Sequence, residues 1–412
     1  MVTARYLFRD YQSSPEAPNW QQVLGRAHAA KVRGECLCKG PGAQRPQLYI
    51  ARVPEGFAIK RMPFTGPDHA ASCEHYSAPP ELSGFGQVDG AAIREDVDAG
   101  TTTLSLAFPL SKGAARTVTT PGEAVEHESV RSDGTKLTLR ALLHYLYDEA
   151  DLTRWTPAMN GRRGWGVIRR EILKAASSKK TKGFDLAEVL FMPEPWREDD
   201  IQGIQARHTE RLSRLAKIRG SRMIVIAPFK DLEPSRFGKQ LRLRHLPEHP
   251  ILAADDLADA LKGRFKEQLE LANNYQDSQL LFAGTISRSG SGVLNMETGM
   301  LANVNHNWLP FETTAEHELL EALMPSRRFV KGLRYNLSHD KPLACAVLQD
   351  TAPKETALYI AHADASGDYA SELAELMEKS PLASWRWDAD VAGMPALPPI
   401  KSNENHEIHR HE

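Results

Sequence analysis

Three of the four cysteines in this 412-residue chain fall within its first 75 positions, and Cys36 and Cys38 stand one residue apart. A Cys-x-Cys on a tight turn can present two thiolates to one metal ion. A second short segment returning beside it completes a tetrahedron of sulfur and nitrogen ligands. His69, Cys73 and His75 offer that second segment, and two completions fit the spacing: His69 with Cys73, or Cys73 with His75. Between the two halves, residues 47–52 and 56–62 read as strands joined by a turn at Pro54-Glu55-Gly56, so a hairpin would bring them together. The spacing therefore predicts an N-terminal β unit stapled by a structural Zn2+. A catalytic zinc needs an open position and a general base; Asp68 and Glu74 are nearby but read as solvated side chains. Four cysteines are too few for a disulfide framework in so long a chain. Cys345, in an apolar strand pattern, reads as core.

The rest of the chain mixes the two periods, which predicts an α+β protein of several domains. Five segments follow: 1–125, a zinc-containing β-rich domain; 126–221, a helical basic region of winged-helix-like order; 222–310, an α/β region; 311–394, a degenerate nuclease-like domain; and 395–412, a disordered tail. Within them, Leu139, Leu142, Leu143 and Leu146 share one helical face behind a Thr138 cap. A second helix fits 165–176. Residues 222–229 read as a buried strand, and 257–271 as one amphipathic helix. Residues 1–12 hold no uninterrupted apolar stretch, so no secretory leader is expected, and no run approaches about 18 apolar residues. The expected location is cytoplasmic, with no membrane contact.

Charge is unevenly spread. The formal net charge is −2, yet residues 151–250 hold 21 Lys and Arg against 12 Asp and Glu. Arg162, Arg163, Arg169, Arg170, Lys179 and Lys180 come in pairs, and Arg207, Arg211 and Arg214 recur at helical spacing. A polyanion is the natural partner of such a surface, since phosphate neutralisation supplies most non-specific nucleic-acid affinity.

The C-terminal order is an acidic helix with Glu316, Glu318 and Glu321, a strand ending in Asp350, a second strand, then a helix with Glu375 and Lys379. Nucleases of the PD-(D/E)xK kind are laid out in this way, with a strand-end Asp and a carboxylate on the next strand holding a divalent metal. Here the second strand reads Ala357-Leu358-Tyr359-Ile360-Ala361, without that carboxylate or the lysine two residues on. Asp350 with Glu318 and Asp364 is what remains of a catalytic set.

The runs Cys36-Leu37-Cys38-Lys39-Gly40, Leu48-Tyr49-Ile50-Ala51-Arg52 and Arg61-Met62-Pro63-Phe64-Thr65-Gly66, followed by His69 and Cys73, resemble the bacterial domain of unknown function 1173. Further matches are Pro79-Pro80-Glu81-Leu82-Ser83-Gly84, Arg154-Trp155-Thr156-Pro157, His245-Leu246-Pro247 and Trp308-Leu309-Pro310. The resemblance extends along nearly the whole chain. It implies an association with plasmids and integrative elements, and Cys36, Cys38, His69 and Cys73 as ligands in preference to His75. It also implies a Glu where this chain has Tyr359. The leading expectation is a non-catalytic, zinc-containing nucleic-acid-binding accessory protein of a mobile element, with DNA favoured. The alternatives are a divalent-metal-dependent nuclease and a protein-interaction scaffold whose basic surface meets an acidic protein partner.

Overall fold

The computed structural model describes residues 4–53, 55–111, 134–217, 221–362 and 367–401. Among these, ten α-helices alternate with strands gathered into four sheets. The protein is of mixed α+β class.

The N-terminal sheet is antiparallel throughout, in the order Tyr11–Ser13, Tyr6–Phe8, Gly34–Cys36, Gln47–Val53 and Gly56–Arg61. Helix Trp20–Ala29 buries Val23, Leu24 and Ala27 in the same core as Tyr6, Leu48 and Ile50. The hairpin closes at Val53↔Gly56, where Gly56 takes φ +130, a conformation open to glycine.

Helix Leu139–Glu149 is capped as its sequence requires: Thr138 Oγ1 accepts from the Ala141 N–H at 3.1 Å. Helix Trp165–Ala176 buries Trp165, Ile168, Ile172 and Ala176, an apolar stripe at helical period. The hairpin that follows, Lys179–Thr181 with Phe184–Asp185, is not a free wing. Its first strand pairs in parallel with Thr101–Leu104, making a four-stranded sheet with Ile93–Asp96.

The third sheet closes on itself. The first half of strand Arg222–Ser235 pairs with Gln279–Arg288, from Arg222↔Ser287 to Pro228↔Leu281. Its second half pairs with Gly238–Leu243, and the change of partner falls at a register irregularity between Phe229 and Asp231. Gly238–Leu243 lies antiparallel to Ile251–Ala253, which runs parallel to Leu294–Val304, and that strand returns antiparallel to Gln279–Arg288. Numbered along the chain, the circuit is first, second, third, fifth, fourth and back to first, with two helices, Asp255–Arg264 and Lys266–Asn274, between the third and fourth. This is the topology of an OB-type Greek-key barrel. The Phe282 ring is fully buried, and the paired Gly284 and Gly299 make room for it: a Cβ on either would come within 2.4 Å or 2.6 Å of that ring. The single helix expected over 257–271 is broken at Phe265, whose φ −100, ψ 30 leaves the helical range.

In the last sheet, helix Thr314–Leu323 leads to three antiparallel strands, Phe329–Lys331, Ala346–Leu348 and Thr356–Ala361. Helix Gly367–Lys379 then returns the chain to Ala383–Asp388, parallel to Thr356–Ala361. A fifth strand, Arg154–Trp155, comes from the middle of the chain and pairs with Phe329 and Val330. Residues 395–401, expected to open a disordered tail, are held against this sheet instead. Arg327 Nη1 donates to Pro398 O at 2.7 Å, and Trp385 Nε1 to Ala396 O at 3.0 Å. The remainder of that expected tail, 402–412, lies outside the described residues.

Candidate metal centre and binding surfaces

Cys36 ends the strand Gly34–Cys36 and Cys38 follows on the turn; His69 and Cys73 lie on the loop after the hairpin. Their ligand atoms all lie within 4.8 Å of one another. Cys36 Sγ is 3.6 Å from Cys73 Sγ, and His69 Nδ1 is 3.6 Å from both Cys38 Sγ and Cys73 Sγ. Metal–ligand bonds of about 2.3 Å to sulfur and about 2.0 Å to nitrogen put the edges of a zinc tetrahedron at roughly 3.8 Å and 3.6 Å. Three of the separations have that size and all fall within 4.8 Å, so the four residues could hold a metal ion.

Backbone N–H groups of the loop point at two of the sulfurs. The Ala70 N–H donates to Cys38 Sγ at 3.3 Å and the His75 N–H to Cys73 Sγ at 3.4 Å. The hydrogen bond between Cys36 and Cys73 holds the Cys73 thiol down against the effect of burial and pushes the Cys36 thiol up, while burial pushes Cys38 up. His75 is thereby placed outside the tetrahedron. Its backbone supports Cys73, and its Nε2 lies 3.0 Å from Tyr6 Oη, which itself donates to Glu74. Of the two completions open to the spacing, the geometry selects His69 with Cys73. From the last sheet, the Arg154 guanidinium donates to three carbonyls of the loop: Cys73 at 3.2 Å, Glu74 at 3.0 Å and Tyr76 at 2.7 Å.

The basic residues of the middle differ in their surroundings. Arg163 donates to Leu152 O and Arg154 O, and Arg169 to Met192 O. Arg207 is paired with Glu194 at 2.9 Å and Asp200 at 2.8 Å, and Arg211 donates to Ala187 O and Leu190 O. Lys179 is buried against Glu149. Arg170 is exposed beside Glu171, while Arg162, Lys180 and Arg214 remain in solvent. Burial, carbonyl contacts and ion pairing thus occupy Arg163, Arg169, Lys179, Arg207 and Arg211 among the basic residues that the sequence singled out.

Asp350 is occupied as well. It accepts from Arg327 Nη2 and from the Arg328 N–H, each at 2.8 Å. Glu318 is exposed on its helix, and Asp364 lies outside the described residues. Among the described residues, the cysteine and histidine cluster is the group of three or more metal-ligating side chains that converges; Asp350 joins none.

The family model for DUF1173, a protein of unknown function, matches residues 6–390. The chain belongs to the DUF1173 family. No curated protein and no solved structure matches it. Among the described residues of this DUF1173 chain, no helix is long and apolar enough to cross a membrane.

Sequence reasoning missed the barrel face. The loop between its first two strands carries Phe237, 71% exposed, with the Arg236 guanidinium 5.3 Å from the ring centroid. Lys239, Arg242 and Arg244 follow along the second strand and its exit, Arg242 within 3.6 Å of Glu233. Arg288 heads the loop between the fourth and fifth strands. The row Leu241↔Ile251↔Leu294 sets that loop at the other end of the second and third strands. The available signal was Ser235-Arg236-Phe237-Gly238, a turn with an aromatic residue at its tip.

Proposed function

We propose that this protein is a zinc-stapled, non-catalytic binder of single-stranded nucleic acid, DNA foremost, acting as an accessory of a bacterial mobile element. The observation that carries the reading is the barrel face. The second and third strands of OB barrels, with the loops that flank them, hold oligonucleotides. Fold alone assigns no function, but here that face also has an exposed aromatic ring on which a base can stack and cations that can track the backbone. A closed set of three sulfurs and one nitrogen suits zinc and leaves no coordination position for chemistry.

Fluorescence anisotropy with a labelled single strand tests this. The single strand should bind more tightly than duplex, with affinity falling as salt rises. Phe237→Ala should weaken binding about tenfold or more, since one stacked base contributes ~1–3 kcal/mol. Arg244→Glu should flatten the salt dependence. Both side chains are exposed or nearly so, and the fold should survive their loss. Binding indifferent to both changes, or no binding, sinks the proposal.

The last sheet supports a nuclease scaffold that has lost its chemistry. Asp350→Ala should destabilise the protein by ~3 kcal/mol, because it leaves the Arg327 guanidinium, 3% exposed, buried without its partner. Urea unfolding reads the loss. Magnesium-dependent cleavage that disappears in this variant at unchanged stability would restore the nuclease reading.

A further inference from the structure

A cavity of about 780 Å³ lies between the N-terminal hairpin, the end of helix Leu139–Glu149 and helix Trp165–Ala176. It belongs neither to the metal tetrahedron nor to the barrel face, and its size falls within the roughly 300–1,000 Å³ of small-molecule sites. Three polar side chains on its lining keep hydrogen-bonding capacity in reserve. Tyr49, 5% exposed, makes no hydrogen bond through its hydroxyl among the described residues, and neither the Glu95 carboxylate nor the Arg61 guanidinium makes one there. Arg61 offers donors alone, Glu95 acceptors alone, and Tyr49 both. A ligand that satisfies all three must itself mix donors and acceptors.

Two further features narrow the class. Carboxylates outnumber Lys and Arg on the lining, with Asp148, Glu149 and Asp151 near Arg61, so a polyphosphate would meet net repulsion. Phe64 lies on the same lining, 65% exposed, and holds φ +64, a left-handed conformation unusual for an aromatic residue. Its ring stacks on no other aromatic residue among those described. Lys174 and Arg170, the latter 2.7 Å from Glu171, are exposed cations on the same lining.

We infer that this cavity is a nucleobase site: the edge of the heterocycle meets Arg61, Glu95 and Tyr49, its face lies on Phe64, and no more than one phosphate reaches Arg170 and Lys174. The base comes either from a free mononucleotide or from a strand held by the protein. The inference stands apart from the barrel reading and can survive without it.

Calorimetric titration of the metal-loaded full chain with each of the four ribonucleoside monophosphates, and with the corresponding triphosphates, forms the first arm. Anisotropy with a labelled single-stranded DNA forms the second. If the source is a free nucleotide, at least one monophosphate binds at a single site, more tightly than its triphosphate. Phe64→Ala and Glu95→Gln then each weaken it about tenfold or more, and Phe237→Ala leaves it unchanged. If the source is a strand, monophosphates fail, and single-strand affinity falls about tenfold with Phe64→Ala and Glu95→Gln. Phe64 is exposed, so its variant keeps the fold, as circular dichroism would verify. Monophosphates that do not bind, together with strand affinity indifferent to Phe64 and Glu95, overturn the nucleobase site; sensitivity to Phe237 in that case keeps the barrel reading. Phe64-dependent monophosphate binding without any strand binding does the reverse.

Discussion

Replacing Cys73 with Ala, or stripping the metal with a chelator, is expected to unfold the N-terminal sheet and to lower the melting temperature of the whole chain. Structural zinc is bound with an apparent ~10–16 kcal/mol in small zinc modules at neutral pH. A domain is stable by only about 5–15 kcal/mol, so even a fraction of that contribution decides whether this sheet exists. The unit has little else to replace it. Three of its strands, Tyr6–Phe8, Tyr11–Ser13 and Gly34–Cys36, are three residues long, and Cys36 and Cys73 are themselves part of its core. Hydrogen exchange on peptides from 4–76, with metal content measured alongside, gives the readout. Unchanged protection in the metal-free protein would mean that the cluster is only core.

The second large effect separates two neighbours. Lys179→Ala should cost ~3 kcal/mol, whereas Lys180→Ala should change stability by less than ~0.5 kcal/mol. Lys179 is 1% exposed; its ammonium pairs with Glu149, donates to Thr102 Oγ1 at 3.1 Å and stands 5.2 Å from the Tyr145 ring centroid. Without it, Glu149 keeps Lys60, 3.9 Å away, and the weaker influence of Arg61. Burial on its own would raise the Glu149 carboxyl, but Lys179 and then Lys60 bring it down to about 2. Its folded-state value therefore lies below the unfolded value of 4.5. The stabilisation is complete above that pH and is lost as pH falls from 4.5 toward 2. Urea midpoints measured across this window should drop in the wild type and drop less in Lys179→Ala. Identical pH profiles would show that the pair carries no such linkage.

The same two lysines show what a sequence can and cannot convey. Charge identifies a residue as basic but not whether it finds Glu194, as Arg207 does, or a carbonyl, as Arg211 does. The readable signal was the period of two: Lys179 and Thr181 point inward from their strand and Lys180 outward. Elements with a sustained period were legible, among them helix Trp165–Ala176, helix Leu139–Glu149 with its Thr138 cap, and the apolar start of strand Arg222–Ser235. The cluster that could hold a metal was legible down to one alternative, because Cys and His have few roles at such spacing. Barrel closure was not. It depends on pairings such as Ile251↔Leu294 and on Ile251–Ala253, too short to show any period. Strand Arg154–Trp155, two residues long, exists only because Phe329 and Val330 present an edge to it.

That short strand also bears on how the chain is made. Arg154 clamps the metal loop through the carbonyls of Cys73, Glu74 and Tyr76, yet it emerges from the ribosome long after them, and its own strand partners emerge much later still. Domains form from the N-terminus onward as the chain is synthesised. Through that interval the loop has no clamp, and an ion held by the four side chains would keep it in place. A metal at this site would thus act first as a holding device during translation, and the last sheet would lock in afterwards a geometry that the ion had already set.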